Sequence, residues 1–139
     1  MCGRFTSTAS PEELMRSFGV TVTDNLQPRW NVAPSQSALV ISQNGLQPEA
    51  AFPHWGLPPS GDGRSFLINA RMETAAEKPT FRDAFANRRC LVVASGWYEW
   101  SAPKQPWHVQ LCDGGVMAFG GLLFRRGDKD RFVVMTSAS

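Results

Sequence analysis

Short apolar segments in the second half of the chain, set apart by turn-forming residues, limit its fold more than any other feature. Cys90 to Ala94, Trp97 to Trp100, Trp107 to Leu111, Val116 to Phe124 and Phe132 to Thr136 are too short for typical helices and rich in β-branched and aromatic residues. Gly114-Gly115 and Gly127-Asp128 punctuate them. The first half is mixed. Ser10-Pro11-Glu12-Glu13 supplies a cap, a proline at the first helical position and first-turn acids, so a helix should run to about Phe18 and stop at Gly19. Residues 27–34 read as a loop, Ala38 to Ser42 as a strand, Asn44-Gly45 as a hairpin turn and Ala51 to Trp55 as the partner strand. Pro58 to Gly63 reads as a loop and Phe66 to Asn69 as a short β segment. Short helices should begin near Glu73 and, capped by Thr80, run through Phe81 and Phe85 toward Asn87. The expectation is one α+β domain over residues 1–139, β-rich with few short helices.

A chain of 139 residues can bury a real core without staples. Its net charge of +2 permits nucleic-acid binding without arguing for it, so any such reading must rest on local arrangement. Three cysteines without tight spacing argue against a disulfide scaffold. Cys90, inside an apolar run, and Cys112, at a strand end, read as buried structural thiols. His54 and His108 share no ligand spacing with the cysteines, so neither a metal nor another cofactor is expected. The start lacks the apolar stretch of a secretory signal, and no segment approaches a membrane span. Those features point to a monomeric cytoplasmic protein.

Three places could carry chemistry. Removal of Met1, which a small second residue permits, would leave Cys2 as a 1,2-aminothiol. An α-amine titrates at roughly 7.7–8.0, against roughly 10.4 for lysine, so an appreciable neutral fraction exists near pH 7. That amine condenses with an aldehyde, and the adjacent thiol can close a five-membered thiazolidine. Alone, a cysteine at position two is usually incidental. Next, Asn69-Ala70-Arg71 follows an apolar segment, offering an amide to hold an amine and a guanidinium fork to hold a phosphate. Alone, it is a turn asparagine beside a surface arginine. Last, Glu99 lies among aromatics, where poor solvation suits a carboxyl to proton transfer near neutrality. Alternation should set Trp97 and Glu99 on one strand face and Tyr98 and Trp100 on the other. Arg4, Trp30, Trp55, Arg71, Arg82 and Trp97 mix cationic and planar groups that can clamp phosphates and stack unpaired bases, although any one tryptophan more often packs a core.

These pieces occur in an order that resembles one family. Met1-Cys2-Gly3-Arg4-Phe5, residues 29–34 (Arg-Trp-Asn-Val-Ala-Pro), Trp55-Gly56-Leu57, residues 69–74 (Asn-Ala-Arg-Met-Glu-Thr), Arg88-Arg89-Cys90-Leu91 and Gly96-Trp97-Tyr98-Glu99-Trp100 resemble the SOS-response-associated peptidase (SRAP) family. The resemblance implies a bent, barrel-like sheet with short helices and a role in the DNA damage response. It implies sensing of abasic sites in single-stranded DNA and a covalent DNA–protein crosslink, placing the protein at the nucleoid. By that likeness Cys2 is the nucleophile, Asn69 orients it and Glu99 transfers protons. Arg4 and Arg71 touch DNA phosphates, and Asn31, Trp55, Arg82 and Trp97 complete the expected DNA surface. The family's peptidase designation implies autoproteolysis that releases Met1.

Two departures follow from the same likeness. The family carries a histidine in a His-x-Arg-Met-Pro motif after the strand that ends here at Thr136, and only Ser137, Ala138 and Ser139 follow. The expectation is therefore a domain incomplete at its C-terminus, with no residue for that histidine's role. The family's tryptophan after Trp55-Gly56 is replaced by Pro58-Pro59-Ser60-Gly61. Two rival functions stand beside crosslinking: a thiol peptidase, and a non-catalytic module that binds damaged DNA.

Overall fold

The computed structural model describes residues 2–23, 26–59, 65–127 and 129–138, and of Arg126 only the backbone. Among the described residues eleven strands and three helices follow one another. The strands are β1 (Phe5–Ser7), β2 (Arg29–Val32), β3 (Val40–Asn44), β4 (Gln47–Ala51), β5 (His54–Trp55), β6 (Asn69–Arg71), β7 (Arg89–Ala94), β8 (Gly96–Ala102), β9 (Gln105–Val109), β10 (Met117–Arg126) and β11 (Lys129–Thr136). The helices are α1 (Pro11–Phe18), α2 (Met72–Ala75) and α3 (Arg82–Asn87). A four-stranded sheet has the order β2-β1-β8-β9, and a seven-stranded sheet runs β4-β3-β7-β10-β11-β5 with β6 also paired to β11. Among the described residues neither sheet closes on itself, so the architecture is β-rich α+β with open sheets rather than a closed barrel.

The middle of the seven-stranded sheet is covered on both faces. Cys90, Val92 and Ala94 of β7, with Phe132 and Val134 of β11, face the four-stranded sheet and meet Phe5, Val32 and Trp55. Val93 turns the other way, to Leu14 of α1 and to Leu39 and Ile41. Val133, Leu122 and Phe124 also turn that way, to Ala75, Phe81 and Ala84 from the α2–α3 region. Double-sided burial is why β7 reads as an unbroken apolar run instead of an alternation. Aromatic rings join the two sheets. Phe132 stacks on Trp55 at 6.2 Å, Trp55 meets Phe5 edge-on at 5.1 Å, and Phe5 and Trp97 both reach Phe119, at 5.8 and 5.9 Å.

Helix α1 is built as its sequence indicates. Ser10 and Glu13 form a reciprocal capping box, Pro11 opens the helix and Gly19 ends it in the left-handed region. Elsewhere the structure departs from the expectation. Residues 29–32 form β2, paired with β1, which the sequence did not suggest. The hairpin after β3 turns through Gly45 and Leu46, so its partner is β4 at Gln47–Ala51, and β5 is a separate strand parallel to β11. The β segment near Phe66 is an isolated bridge, Leu57 to Leu67, while the strand proper begins at Asn69. Helix α3 starts after Phe81 with no side-chain cap, so Thr80 is not its cap. Cys90 is buried as expected, but Cys112 is exposed. The loop expected at residues 58–63 lies partly outside the described residues, as does Asp128 of the Gly127-Asp128 turn.

Candidate active site

Cys2 lies at the junction of the two sheets. Only 8% of its surface is exposed, and it packs with the cluster that contains Phe5, Trp55 and Val134. Its Sγ approaches the Arg4 carbonyl oxygen at 3.8 Å. Burial and the negative charge of Glu99 push the Cys2 thiol from its ordinary 9.0 up to about 11, with the Arg4 backbone opposing them. The thiol is therefore protonated at neutral pH, unlike the thiolate of a cysteine activated for direct attack.

Asn69 reaches the same residue from the other sheet. Strand β6 runs parallel to β11, with Asn69 opposite Val134 and Arg71 opposite Thr136. Ala70 is buried in the cluster on the helix-covered side, so Asn69 and Arg71 turn to the opposite face. From there Asn69 Nδ2 donates to the Cys2 carbonyl oxygen at 3.4 Å. Its Oδ1 is buried and accepts no hydrogen bond among the described residues. An unmet buried acceptor costs about 1–3 kcal/mol.

Glu99 arrives on β8. Phe5 pairs with Trp97, whose ring packs edge-on against Phe119 inside the structure. Glu99 follows two residues on and shares that face. Tyr98 and Trp100 lie on the reverse face with their rings 6.4 Å apart, as the alternation predicted. Arg4 joins the strands beside Cys2: its carbonyl accepts from Tyr98 N–H at 3.0 Å, and its guanidinium donates to Asn31 Oδ1 at 3.1 Å. Tyr98 Oη in turn donates to the Trp30 carbonyl at 2.8 Å.

The structure thus brings Asn69 and Glu99 to Cys2 and the Arg4 backbone beside it, ties the Arg4 side chain to Asn31, and puts Arg71 on the Asn69 face. Two of the expected DNA contacts lie elsewhere. Trp55 is 0% exposed, and its Nε1 donates to the Ile68 carbonyl at 3.1 Å, so it has no face to offer a base. Arg82 sits on α3, which packs over the helix-covered side of the larger sheet, away from Cys2. Trp97 is half-buried and mostly a packing residue. The sequence reading missed Trp107, which register pairs with Glu99. Its signal was present in the hairpin spacing between Trp100 and Trp107, but only the register fixes the face. Met1 lies outside the described residues. Among the described residues no group of three or more His, Cys, Asp or Glu side chains could hold a metal ion, and no helix is long and apolar enough to cross a membrane.

The profile of the SOS response associated peptidase (SRAP) family matches residues 1–139, and the chain belongs to that family. It is 36% identical over 133 residues to the abasic site processing protein YoaM of Bacillus subtilis, covering 88% of this chain and 59% of the relative. It is 31% identical over 152 aligned residues to the abasic site processing protein YedK of Escherichia coli, covering 100% of this chain and 68% of the relative. The chain spans about 60% of the length of the Bacillus subtilis relatives it matches. A crystal structure of a phage-related protein from Bordetella bronchiseptica superposes with a TM-score of 0.79 at 28% identity, covering 98% of this chain and 69% of that one.

Proposed function

We propose that this chain captures abasic sites in single-stranded DNA by forming a thiazolidine on Cys2. Hydrolysis of the Met1–Cys2 peptide bond consumes one water and frees the Cys2 amine. That amine adds to the aldehyde carbon of the ring-opened abasic sugar to give a carbinolamine. Loss of water gives an imine, with Glu99 carrying the proton to the departing oxygen. The thiol sulfur then bonds to the imine carbon, and its proton passes to the nitrogen. The sum is aldehyde plus aminothiol to thiazolidine plus water.

The observation that carries this reading is the convergence on Cys2. Asn69 is tied to its carbonyl, and the same side chain holds an Oδ1 with no partner among the described residues, suited to accept from the freed amine. Glu99 lies close enough to raise the thiol. Arg4 and Arg71 supply cationic groups for phosphates. The relatives named as abasic site processing proteins support the substrate class. A thiolate-led peptidase is the weaker reading, because the Cys2 thiol is buried and raised instead of lowered.

The test is incubation with a labelled single strand carrying one abasic site, followed by a denaturing gel. The wild-type chain is expected to shift the strand, and its intact mass should show the loss of methionine. Cys2→Ala should give no shift. Cys2→Ser should give a stable shift only when borohydride reduces the imine. Crosslinking by Cys2→Ala at the wild-type rate would overturn the proposal.

A further inference from the structure

We infer that Trp107 forms a nucleobase subsite beside the proposed crosslinking centre, stacking an unpaired base next to the lesion; the inference rests on the reading of Cys2 given above. Strand β9 is an edge of the smaller sheet, with β8 as its neighbour. Its register sets Trp97 opposite Val109 and Glu99 opposite Trp107. Directly opposed residues project from the same face, with Cβ atoms about 4.5–5.5 Å apart. Trp107 therefore shares the face of Trp97 and Glu99, which is the face turned to Cys2. The reverse face holds Tyr98, Trp100 and His108, and the Tyr98 and His108 rings lie 5.1 Å apart.

Along the shared face the two indoles behave differently. Trp97 packs inward on Phe119. Trp107, next to Glu99, is 64% exposed. Its Nε1 donates to Ser101 Oγ at 2.8 Å, which fixes the ring and occupies its only hydrogen-bond donor. What remains for a ligand is the flat apolar face of the ring. A held indole with no polar group to spare suits stacking on any base, without sequence readout. Its place beside Glu99 puts that base next to the sugar that Cys2 would engage.

The experiment compares the wild-type chain, Trp107→Ala and Trp107→Phe on two single strands. One carries the abasic site between adenines. In the other, the flanking nucleotides are unreactive tetrahydrofuran sites with no base. Crosslinking is followed at protein concentrations far below saturation. Trp107→Ala should react roughly tenfold more slowly than wild type on the first strand and equally on the second, with Trp107→Phe close to wild type on both. Equilibrium binding is measured in parallel with a tetrahydrofuran site in place of the reactive lesion, where the same difference should appear as a roughly tenfold weaker Kd. Equal binding by wild type and Trp107→Ala, or an equal loss on both strands, overturns the subsite. A wild-type chain that binds with the predicted dependence on Trp107 yet never crosslinks leaves the subsite standing and overturns the chemistry proposed for Cys2.

Discussion

The Cys2 and Cys90 thiols are neutral buried groups, and that fixes how the chain responds to alkali. Burial with the Glu99 charge raises Cys2 to about 11, and burial alone raises Cys90 to about 12. Below about pH 9 both thiols are protonated in the folded and the unfolded chain, so they add no pH dependence there. From about 9 upward the unfolded chain releases these protons while the folded chain keeps them. Stability must then fall with rising pH until the folded thiols ionise, at about 11 for Cys2 and about 12 for Cys90. Each thiol contributes a loss of about 2–4 kcal/mol across its window. Urea unfolding midpoints measured at pH 8, 10 and 11.5 should show this fall, and Cys90→Ala should show a smaller one. A midpoint in the wild-type chain that does not drop above pH 9 would show that these thiols are solvated.

At the scale of elements, the β8–β9 hairpin depends on a glycine. A Cβ on Gly96 would lie 2.5 Å from His108 Nε2 and 2.6 Å from the Val109 carbonyl oxygen. His108 occupies that space because its Nε2 meets the Oγ1 of Thr6, which is fully buried and donates to the Gly96 carbonyl. Gly96→Ala should therefore cost about 2 kcal/mol in urea unfolding. Because the hairpin carries Glu99 and Trp107, the same variant should also slow crosslinking. Adding His108→Ala should restore only part of the stability, since the Val109 carbonyl is backbone and stays; full recovery would place the whole clash on the imidazole. The elements differed in how well their sequence announced them. Helix α1 was legible because its capping box and terminal glycine are local chemistry. The runs of β7, β10 and β11 were legible because both sheet faces are covered. Strands β1 and β2 were not: they have three and four residues, and Phe5 meets Val32 only through a pairing made far along the chain. The hairpin was found, but its turn was set one residue early and its partner was misplaced, because β4 is an edge strand whose exposed residues, such as Gln47 and Glu49, hide the pattern. Thr80 failed as a cap because α3 is held instead by Phe81, which is buried against Phe124 at 6.4 Å.

For the molecule as a whole, the proposed site exists only because two sheets meet. Cys2 and Glu99 come with the smaller sheet, and Asn69 comes with the larger one. No stretch of sequence contains that meeting; the motif order offered candidates, and tertiary packing decided which of them converge. Trp55 shows the difference. Its motif suggested a surface group, yet its ring lies between Phe5 and Phe132 and closes the space between the sheets. Trp55→Ala would remove that ring and leave the Ile68 carbonyl without the Nε1 donor. The cost should be about 3–5 kcal/mol, a large share of the 5–15 kcal/mol that holds an ordinary domain together. Trp107→Ala, on an exposed face, should change stability by no more than about 0.5 kcal/mol. Urea unfolding of the two variants under identical conditions distinguishes the roles: Trp55 should set whether the sheets stay joined, and Trp107 should leave the unfolding midpoint in place. A Trp55→Ala chain as stable as wild type but weak on single-stranded DNA would return Trp55 to the binding surface and remove the aromatic bridge from the account of how Cys2 is held beside Asn69.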